Sequence, residues 1–223
     1  MRAEQIGEPA AAQTRNIKSR PFKIILLGEG RCGKTSILLR FSKNEFSESQ
    51  APTTSASFLE KRINLDGESV VLSIWDTAGQ EKYHSLGPIF YRDADAAIVV
   101  FDQSEPATFE KVQVWMSELR AMVDEPIPIC IAGNKIDLTR GHRPDGELLK
   151  VVDDYAKQLA VRVFWTSALL NLEIEPMFLY LTRQVVANYK AAQSAGAEAK
   201  VAHERLELVA PPQSAAKDEE ACC

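Results

Sequence analysis

Short apolar or alternating segments, each closed by a turn signal, recur along the chain and predict β-strands. The six segments are Phe22–Leu27, Ser57–Leu65, Ser69–Trp75, Ala96–Phe101, Ile127–Ala132 and Val161–Trp165. Continuous apolar runs such as Ala96–Phe101 are typical of strands that are covered on both faces. Asp66-Gly67, between the second and third segments, indicates a tight hairpin. We therefore expect a mostly parallel sheet with one antiparallel strand.

Helical stretches alternate with these strands. They are Lys34–Phe41, Ala107–Met122, Gly146–Leu159 and Glu173–Ala192. Strands that alternate with helices of this length predict βαβ units and a doubly wound α/β fold. The polar, small-residue ends predict a flexible arm over residues 1–20 and a flexible tail over residues 193–223. A single domain over residues 21–192 is expected between them.

Composition narrows the class of protein. The chain has 223 residues, of which 45% are hydrophobic and 26% charged, as is ordinary for a globular domain. Its net charge of −5 argues against a nucleic-acid-binding protein. The longest apolar run is far shorter than the roughly 20 residues needed to span a bilayer, and no signal peptide is recognisable, so we expect a cytosolic chain. Cys32 and Cys130 lie singly in apolar or glycine-rich segments and are expected to be ordinary unpaired thiols.

The strongest motif follows the first strand directly. The residues from Gly28 to Thr35 fit the pattern G-x-x-x-x-G-K-[ST], whose glycines let main-chain N–H groups surround phosphate oxygens. We expect Lys34 to reach the β- and γ-phosphates and the Thr35 hydroxyl to bind Mg²⁺. The helix that begins here adds its N-terminal N–H groups. The predicted phosphate-binding residues of this loop are Gly28, Gly30, Arg31, Cys32, Gly33, Lys34, Thr35 and Ser36.

A second motif, WDTAGQE over residues 75–81, follows the third strand. Asp76 lies at the end of a strand, and its carboxylate is able to bind Mg²⁺, which in most such sites it does through a water molecule. The Gly79 N–H is expected to donate a hydrogen bond to a γ-phosphate. The Gln80 carboxamide is able both to accept from and to donate to an attacking water, so Gln80 is the predicted catalytic residue.

A third motif indicates which base is bound. Asn134, Lys135 and Asp137 follow the fifth strand, and the Asp137 carboxylate is able to accept two hydrogen bonds from the N1–N2 edge of guanine. Adenine has no such pair of donors, and burying an unpaired carboxylate is costly, so this residue is expected to select guanine. Main-chain N–H groups around Ser167 and Ala168 are expected to face the base oxygen. Asp137 also argues against an ATP-dependent kinase or motor.

With these three motifs the chain resembles the small GTPases of the Ras superfamily, across about residues 20–190. The resemblance implies a P-loop fold with a six-stranded sheet, about five helices and nucleotide at the carboxyl ends of the strands. It also implies that Thr53, eighteen residues after Thr35, closes over Mg²⁺, and that Phe46 lies edge-on against guanine. Thr54, next to Thr53, is the alternative. Leu169 stands where the family usually has a lysine next to the base.

Further strings resemble the Rab branch: SIWDTAGQE over residues 73–81, YHSL over 83–86, FYRD over 90–93 and the terminal Cys222-Cys223. In that branch Phe58, Trp75 and Phe90 correspond to an aromatic triad that faces effectors, and the two cysteines correspond to sites of geranylgeranylation. The loop sequences most resemble the endosomal Rab-five and Rab-twenty-one group. The resemblance implies the cytoplasmic face of early endosomes as the location, with a cytosolic pool.

The function implied is a GTP/GDP switch that uses Mg²⁺, acts in vesicle traffic and is a monomer. The partners implied are a guanine-nucleotide exchange factor, a GTPase-activating protein, a GDP-dissociation inhibitor, a Rab escort protein with its prenyltransferase, and GTP-dependent effectors. Two alternatives stay open at this point. The chain is then either a nucleotide-locked scaffold with little turnover or a Rab of a secretory rather than an endosomal step.

Overall fold

The sheet has six strands and carries the pocket described below. In the computed structural model, residues 20–51, 53, 57–77, 90–139 and 146–209 are described, the last with side chains only to residue 195. The strands are β1 (Phe22–Leu27), β2 (Ser57–Leu65), β3 (Glu68–Asp76), β4 (Ala96–Asp102), β5 (Ile129–Asn134) and β6 (Arg162–Trp165). Their order across the sheet is β2-β3-β1-β4-β5-β6, and only the β2–β3 pair is antiparallel. The predicted α/β fold is confirmed.

The burial of the strands follows their position in the sheet. Every residue of β4, in the middle of the parallel part, is buried, whereas β2 at the edge alternates between exposed and half-buried positions. The hairpin between β2 and β3 turns at Asp66 and Gly67, which both have positive φ, 52° and 87°. The Asn64 Oδ1 accepts a hydrogen bond from the Gly67 N–H at 3.0 Å, which closes the turn.

Four α-helices and one 3-10 turn lie in the described part of the chain, where about five helices were expected. They are α1 (Lys34–Lys43), α2 (Ala107–Met122), the 3-10 turn (Ile136–Thr139), α3 (Glu147–Leu159) and α4 (Ile174–Val209). None of these helices has the length and hydrophobicity that crossing a bilayer requires. The core beneath α2 and α3 contains Trp115 and Trp165, both more than nine-tenths buried.

Several element boundaries differ from the sequence-based prediction, all but one of them by only one or two residues. The strand β5 begins at Ile129 rather than Ile127, because Pro126 and Pro128 flank Ile127 and Pro128 has no N–H to donate to the sheet. The helix α4 continues to Val209, well past the predicted end at Ala192. Residues 193–209 are rich in Ala and Glu and contain no proline, and the single Gly196 lowers helix propensity without ending the helix.

The chain divides into two compact units. The first ends at Val185 and contains the sheet and the pocket; the second begins at Val186, and its described part is the remainder of α4. The predicted domain limits at residues 21 and 192 stay predictions.

Candidate nucleotide-binding site

A cavity of about 580 Å³ lies at the carboxyl ends of the parallel strands. Its predicted phosphate-contacting side, which we call the phosphate end, consists of residues 28–36, Thr53 and Asp76. Its predicted base-contacting side, which we call the guanine end, consists of Phe46, residues 134–137 and residues 167–169. The predicted site residues that line the cavity are Gly30, Arg31, Gly33, Lys34, Thr35, Ser36, Phe46, Thr53, Asn134, Lys135, Asp137, Ala168 and Leu169.

The loop of the phosphate end requires glycine at two of its positions. Gly28 has φ +136°, and a Cβ there would lie 2.1 Å from the Val100 carbonyl oxygen. Gly33 has φ +95°, and a Cβ there would lie 2.4 Å from the Asn134 Nδ2. These contacts are too short for any side chain, so the sequence of the loop follows from its close approach to the neighbouring strands.

Lys34 is the first residue of α1, and its side chain is buried. The Nζ donates to the main-chain carbonyls of Gly28 at 2.8 Å and Glu29 at 2.9 Å, so the ammonium lies across the opening of the loop. Arg31 lines the cavity with an exposed side chain. Cys32 is fully buried, with its Sγ 4.0 Å from the Lys34 Nζ, and its burial raises the pKa of the thiol above its usual value, against the opposing effect of Lys34.

Two hydroxyls and a carboxylate meet beside the loop. The Thr35 hydroxyl donates to the Asp76 Oδ2 at 2.6 Å and lies 2.8 Å from the Thr53 hydroxyl. Burial raises the pKa of the Asp76 carboxyl, although hydrogen bonds from Thr35 and Thr53 and the charge of Lys34 lower it. Among the described residues, none donates a hydrogen bond to the Asp76 Oδ1, which is buried. This set of oxygen ligands fits Mg²⁺, with the Oδ1 available to a metal-bound water. Thr54, the alternative to Thr53, lies outside the described residues.

Asn134 joins the two ends of the cavity. It is the last residue of β5 and is buried. Its Nδ2 donates to the Cys32 carbonyl at 3.0 Å, and its Oδ1 accepts from the Thr166 hydroxyl at 3.2 Å. The phosphate loop, β5 and the turn after β6 are therefore connected through one amide.

Lys135 has a left-handed backbone, with φ +68°. Its Nζ forms an ion pair with the Asp102 Oδ2 at 2.6 Å. Its carbonyl accepts a hydrogen bond from the Gln103 Nε2 at 3.2 Å, and the same nitrogen donates to the Thr139 hydroxyl at 2.7 Å. Asp102 and Gln103 thus fix the turn that presents Asp137. No sequence motif marks either of them.

Asp137 lies in the 3-10 turn, where the Ser167 hydroxyl donates to its Oδ1. The Ser167 hydroxyl also accepts from the Leu170 N–H at 3.0 Å, and the Ser167 N–H donates to the Leu172 carbonyl at 3.2 Å. Because the Ser167 N–H is occupied in this way, the main-chain donor that we expect to face the base is that of Ala168. Ser167 orients the carboxylate with its side chain instead.

Phe46 and Leu169 complete the guanine end. Phe46 is half-buried and Leu169 is 40% exposed. The guanidinium of Arg40, in α1, lies 6.0 Å from the centroid of the Phe46 ring and donates to the Leu169 carbonyl at 3.3 Å. Arg40 belongs to none of the three sequence motifs, although it contacts this end of the cavity.

The predicted effector surface is a row of aromatic rings. Phe58 in β2 stacks on Trp75 in β3, with centroids 5.0 Å apart, and the Phe90 ring follows at 6.5 Å. Phe58 is 51% exposed, so the pair is not simply part of the hairpin core. The Lys23 Nζ lies 4.4 Å from the Trp75 ring and covers part of it.

Four of the predicted functional residues lie outside the described part of the chain: Gly79, Gln80, Cys222 and Cys223. Thr77 is the last described residue before Gly79, and its hydroxyl donates a hydrogen bond to the Leu26 carbonyl at 2.7 Å. This contact attaches the start of the segment with Gln80 to the end of β1.

Comparison of the sequence with known proteins gives the family of the chain. The model of the Ras family matches residues 23–187. The chain is 38% identical to the Ras-related protein Rab-21 of Rattus norvegicus over 206 residues, which is 91% of each chain. It is 44% identical to Rab-21 of Homo sapiens over 165 residues, which is 74% of this chain and 72% of the human protein. It is 41% identical to Rab-21 of Geodia cydonium over 181 residues, which is 81% of this chain and 78% of that relative's length. The chain therefore belongs to the Ras family of GTP-hydrolysing switches, as a Rab protein of vesicle traffic similar to Rab-21.

Proposed function

We propose that this chain is a membrane-anchored GTP/GDP switch that binds its nucleotide with Mg²⁺, hydrolyses it slowly and recruits effectors on early endocytic membranes. One observation carries the proposal. A single cavity joins a buried lysine and a hydroxyl–carboxylate cluster at one end to an oriented aspartate at the other. Such a cavity is suited to a guanine nucleotide that lies along it from phosphate to base.

At the phosphate end, Lys34 and the main-chain N–H groups at the start of α1 bind the β- and γ-phosphates. Thr35 and Thr53 bind the magnesium ion directly, and Asp76 binds it through water. The bound ion neutralises charge on the phosphates. Gly79 binds the γ-phosphate through its N–H, so its segment and that of Thr53 are ordered by GTP and released after hydrolysis.

At the guanine end, Asp137 accepts from the N1 and N2 positions of the base. The Ser167 hydroxyl supports this role because it holds one carboxylate oxygen and leaves the other for the base. The Phe46 ring lies edge-on against the guanine. Lys135, Ala168 and Leu169 form the remaining wall of the base site.

Hydrolysis depends on Gln80, which orients the attacking water. Arg31 is the one arginine that lines the cavity among the described residues, and its position in the phosphate loop does not suit a transition-state contact. An activating partner therefore supplies the arginine that stabilises the transition state, and unaided hydrolysis is slow.

A single-turnover assay separates the switch from the nucleotide-locked scaffold. The full chain is loaded with GTP, and hydrolysis is followed with and without a Rab GTPase-activating protein. The switch predicts stimulation by the activator, and Gln80→Leu then slows the stimulated rate by orders of magnitude while GTP affinity stays close to that of the parent. A parent chain that does not respond to any activator, or a Gln80→Leu rate equal to the parent's, contradicts the proposal.

Membrane anchoring is assigned to Cys222 and Cys223 as prenylation sites. A single lipid chain gives only marginal binding, and stable anchoring needs a second signal. Residues 193–223 carry three Lys or Arg against six Asp or Glu, so the tail has no basic patch to supply that signal. Two prenyl chains fit this requirement.

A cell-fractionation and imaging experiment tests the anchor and the compartment. The parent is expected with early endosomal markers, and Cys222→Ser/Cys223→Ser in the soluble fraction with unchanged nucleotide binding. If the double variant still sediments with membranes, another element anchors the chain. Colocalisation of the parent with secretory markers instead would favour the secretory alternative.

A further inference from the structure

Arg40 lies outside the nucleotide cavity but contacts segments on both sides of its guanine end. Its Nε donates to the Ala168 carbonyl at 2.8 Å and its Nη2 to the Leu169 carbonyl at 3.3 Å. Its Nη1 donates to the main-chain and side-chain oxygens of Asn44, each at 3.0 Å. All three nitrogens of the guanidinium are therefore committed, and all of them bind oxygen atoms of the guanine end or of the segment next to it.

These contacts join parts of the chain that are remote in sequence. Ala168 and Leu169 belong to the turn after β6, 128 and 129 residues beyond Arg40. Asn44 is the C-cap of α1, with φ +58°, and two residues later the same segment presents Phe46 to the cavity. The planar fork of one arginine side chain therefore connects the two segments.

We propose that Arg40 is a positioning residue that holds the Phe46 segment and the Ala168–Leu169 turn together, and that it thereby sets how slowly guanine nucleotide is released. The inference rests on the proposed nucleotide function of the cavity. A base is held more tightly when the loops on both sides of it are already ordered, because the ordering of mobile loops on binding costs free energy. Arg40 is not itself one of the residues that line the cavity, but it contacts Phe46, Ala168 and Leu169, which do line it, so its effect on the nucleotide acts through these two segments.

The rate of GDP release from the full chain tests the proposal. The measurement uses a fluorescent GDP analogue that is displaced by excess GDP in the presence of Mg²⁺. The variants are Arg40→Gln, which removes the charged fork, and Arg40→Lys, which keeps a charge but reaches fewer of the four oxygens. Lys43→Gln is the matched control, because Lys43 is an exposed cation in the same last turn of α1.

We expect release from Arg40→Gln to be about tenfold faster than from the parent, as the loss of charge-assisted hydrogen bonds implies. Arg40→Lys should be intermediate, since an ammonium does not reproduce the planar fork. Lys43→Gln should release GDP at the rate of the parent.

Two further readouts separate positioning of the base from general damage to α1. Removal of Mg²⁺ by EDTA should accelerate GDP release by the same factor in the parent and in Arg40→Gln, because the phosphate end is untouched. Single-turnover hydrolysis of bound GTP should also keep its rate. If either readout changes together with the release rate, Arg40 is a structural residue of α1 and the positioning role is overturned.

The outcomes also separate this inference from the function on which it rests. A parent chain that retains no guanine nucleotide defeats the proposed function, and the role of Arg40 falls with it. A parent that retains GDP, with Arg40→Gln releasing it at the same rate, overturns the role of Arg40 alone. If Arg40→Gln does not fold, Arg40→Lys decides: faster release than the parent supports the role, and an equal rate overturns it.

Discussion

The two ends of the cavity are built in different ways. The phosphate end comes mainly from one continuous stretch, residues 28–36, in which the chain passes from β1 into α1. The guanine end is assembled from three stretches that are more than a hundred residues apart at their extremes, around Phe46, Asp137 and Ser167. Backbone conformation dominates the first end, whereas hydrogen bonds between side chains and carbonyls dominate the second.

The side chains of the guanine end depend on residues from distant parts of the chain, whereas those of the phosphate end depend mainly on local contacts. Glycines at positions 28 and 33 are required by local contacts of the phosphate loop. Asp137, in contrast, is oriented by Ser167 from another segment, and Lys135 by Asp102 and Gln103 from a third. Apart from Asn134, which is bonded to the phosphate loop, substitutions at the guanine end should therefore change base affinity by graded amounts and leave the phosphate end unaffected.

The largest expected effect is that of Asp137→Asn. The Ser167 hydroxyl donates to the Oδ1, so the new carbonyl is expected to stay in that place and the new NH₂ to face the base. Guanine then loses two charge-assisted hydrogen bonds of roughly 1.5–3 kcal/mol each, so GTP affinity should fall about a hundredfold or more. Xanthine carries a carbonyl where guanine carries an amine and should be preferred.

Competition binding with GTP and xanthosine triphosphate measures the change in preference. The response of nucleotide release to EDTA serves as the control, because it depends on the phosphate end and should be unchanged. A variant that still prefers GTP would show that Asp137 does not contact the base.

Thr35→Asn tests the other end and should have the next largest effect. It removes the hydroxyl that lies between Thr53 and Asp76. Loss of one group from such a metal site weakens Mg²⁺ binding by about tenfold or more. Since the metal contributes more when the γ-phosphate is present, GTP affinity should fall more than GDP affinity. Titration with both nucleotides decides this, and equal losses contradict the assignment.

Much of the fold and of the phosphate end is predictable from the sequence, because there the residue type itself carries the requirement. The predicted limits of β1 and of α2 agree with the structure residue for residue. The glycines, Lys34 and Thr35 are visible as a motif because each of them serves a local backbone or phosphate contact. The lining of the cavity includes most of the predicted site residues for the same reason.

The hydrogen bonds that hold the turns of the guanine end in place are not predictable in that way. Arg40 and Gln103 bind main-chain carbonyls, and a carbonyl is present at every residue, so no residue type marks the partner. In the sequence Arg40 is one more polar position of an amphipathic helix, and Gln103 follows an apolar strand without any motif. Only the folded chain brings them to the turns that they hold.

Gln103→Leu should produce a smaller change, restricted to the guanine end. Loss of the Gln103 amide leaves the Lys135 carbonyl and the Thr139 hydroxyl without this donor. Each such bond is worth about 1 kcal/mol, so GDP release should accelerate by a few-fold. Gln113→Leu, an exposed position of α2, is the control and should leave the rate unchanged. A release rate equal to that of the parent would show that the turn holds its shape without Gln103.

We expect the weakest signal from a comparison of two buried thiols, Cys32 in the phosphate loop and Cys130 in β5. Burial raises the pKa of both thiols, so both should remain protonated and unreactive at pH 8.5 in the folded protein. The experiment uses Cys222→Ser/Cys223→Ser, so that only these two thiols remain, and counts the sites labelled by iodoacetamide. No site should be labelled in the folded GDP-bound protein, and two should be labelled in denaturant. If Cys32 reacts before Cys130 in the folded protein, the phosphate loop opens independently of the neighbouring strands, and the close contacts at Gly28 and Gly33 do not hold it in place.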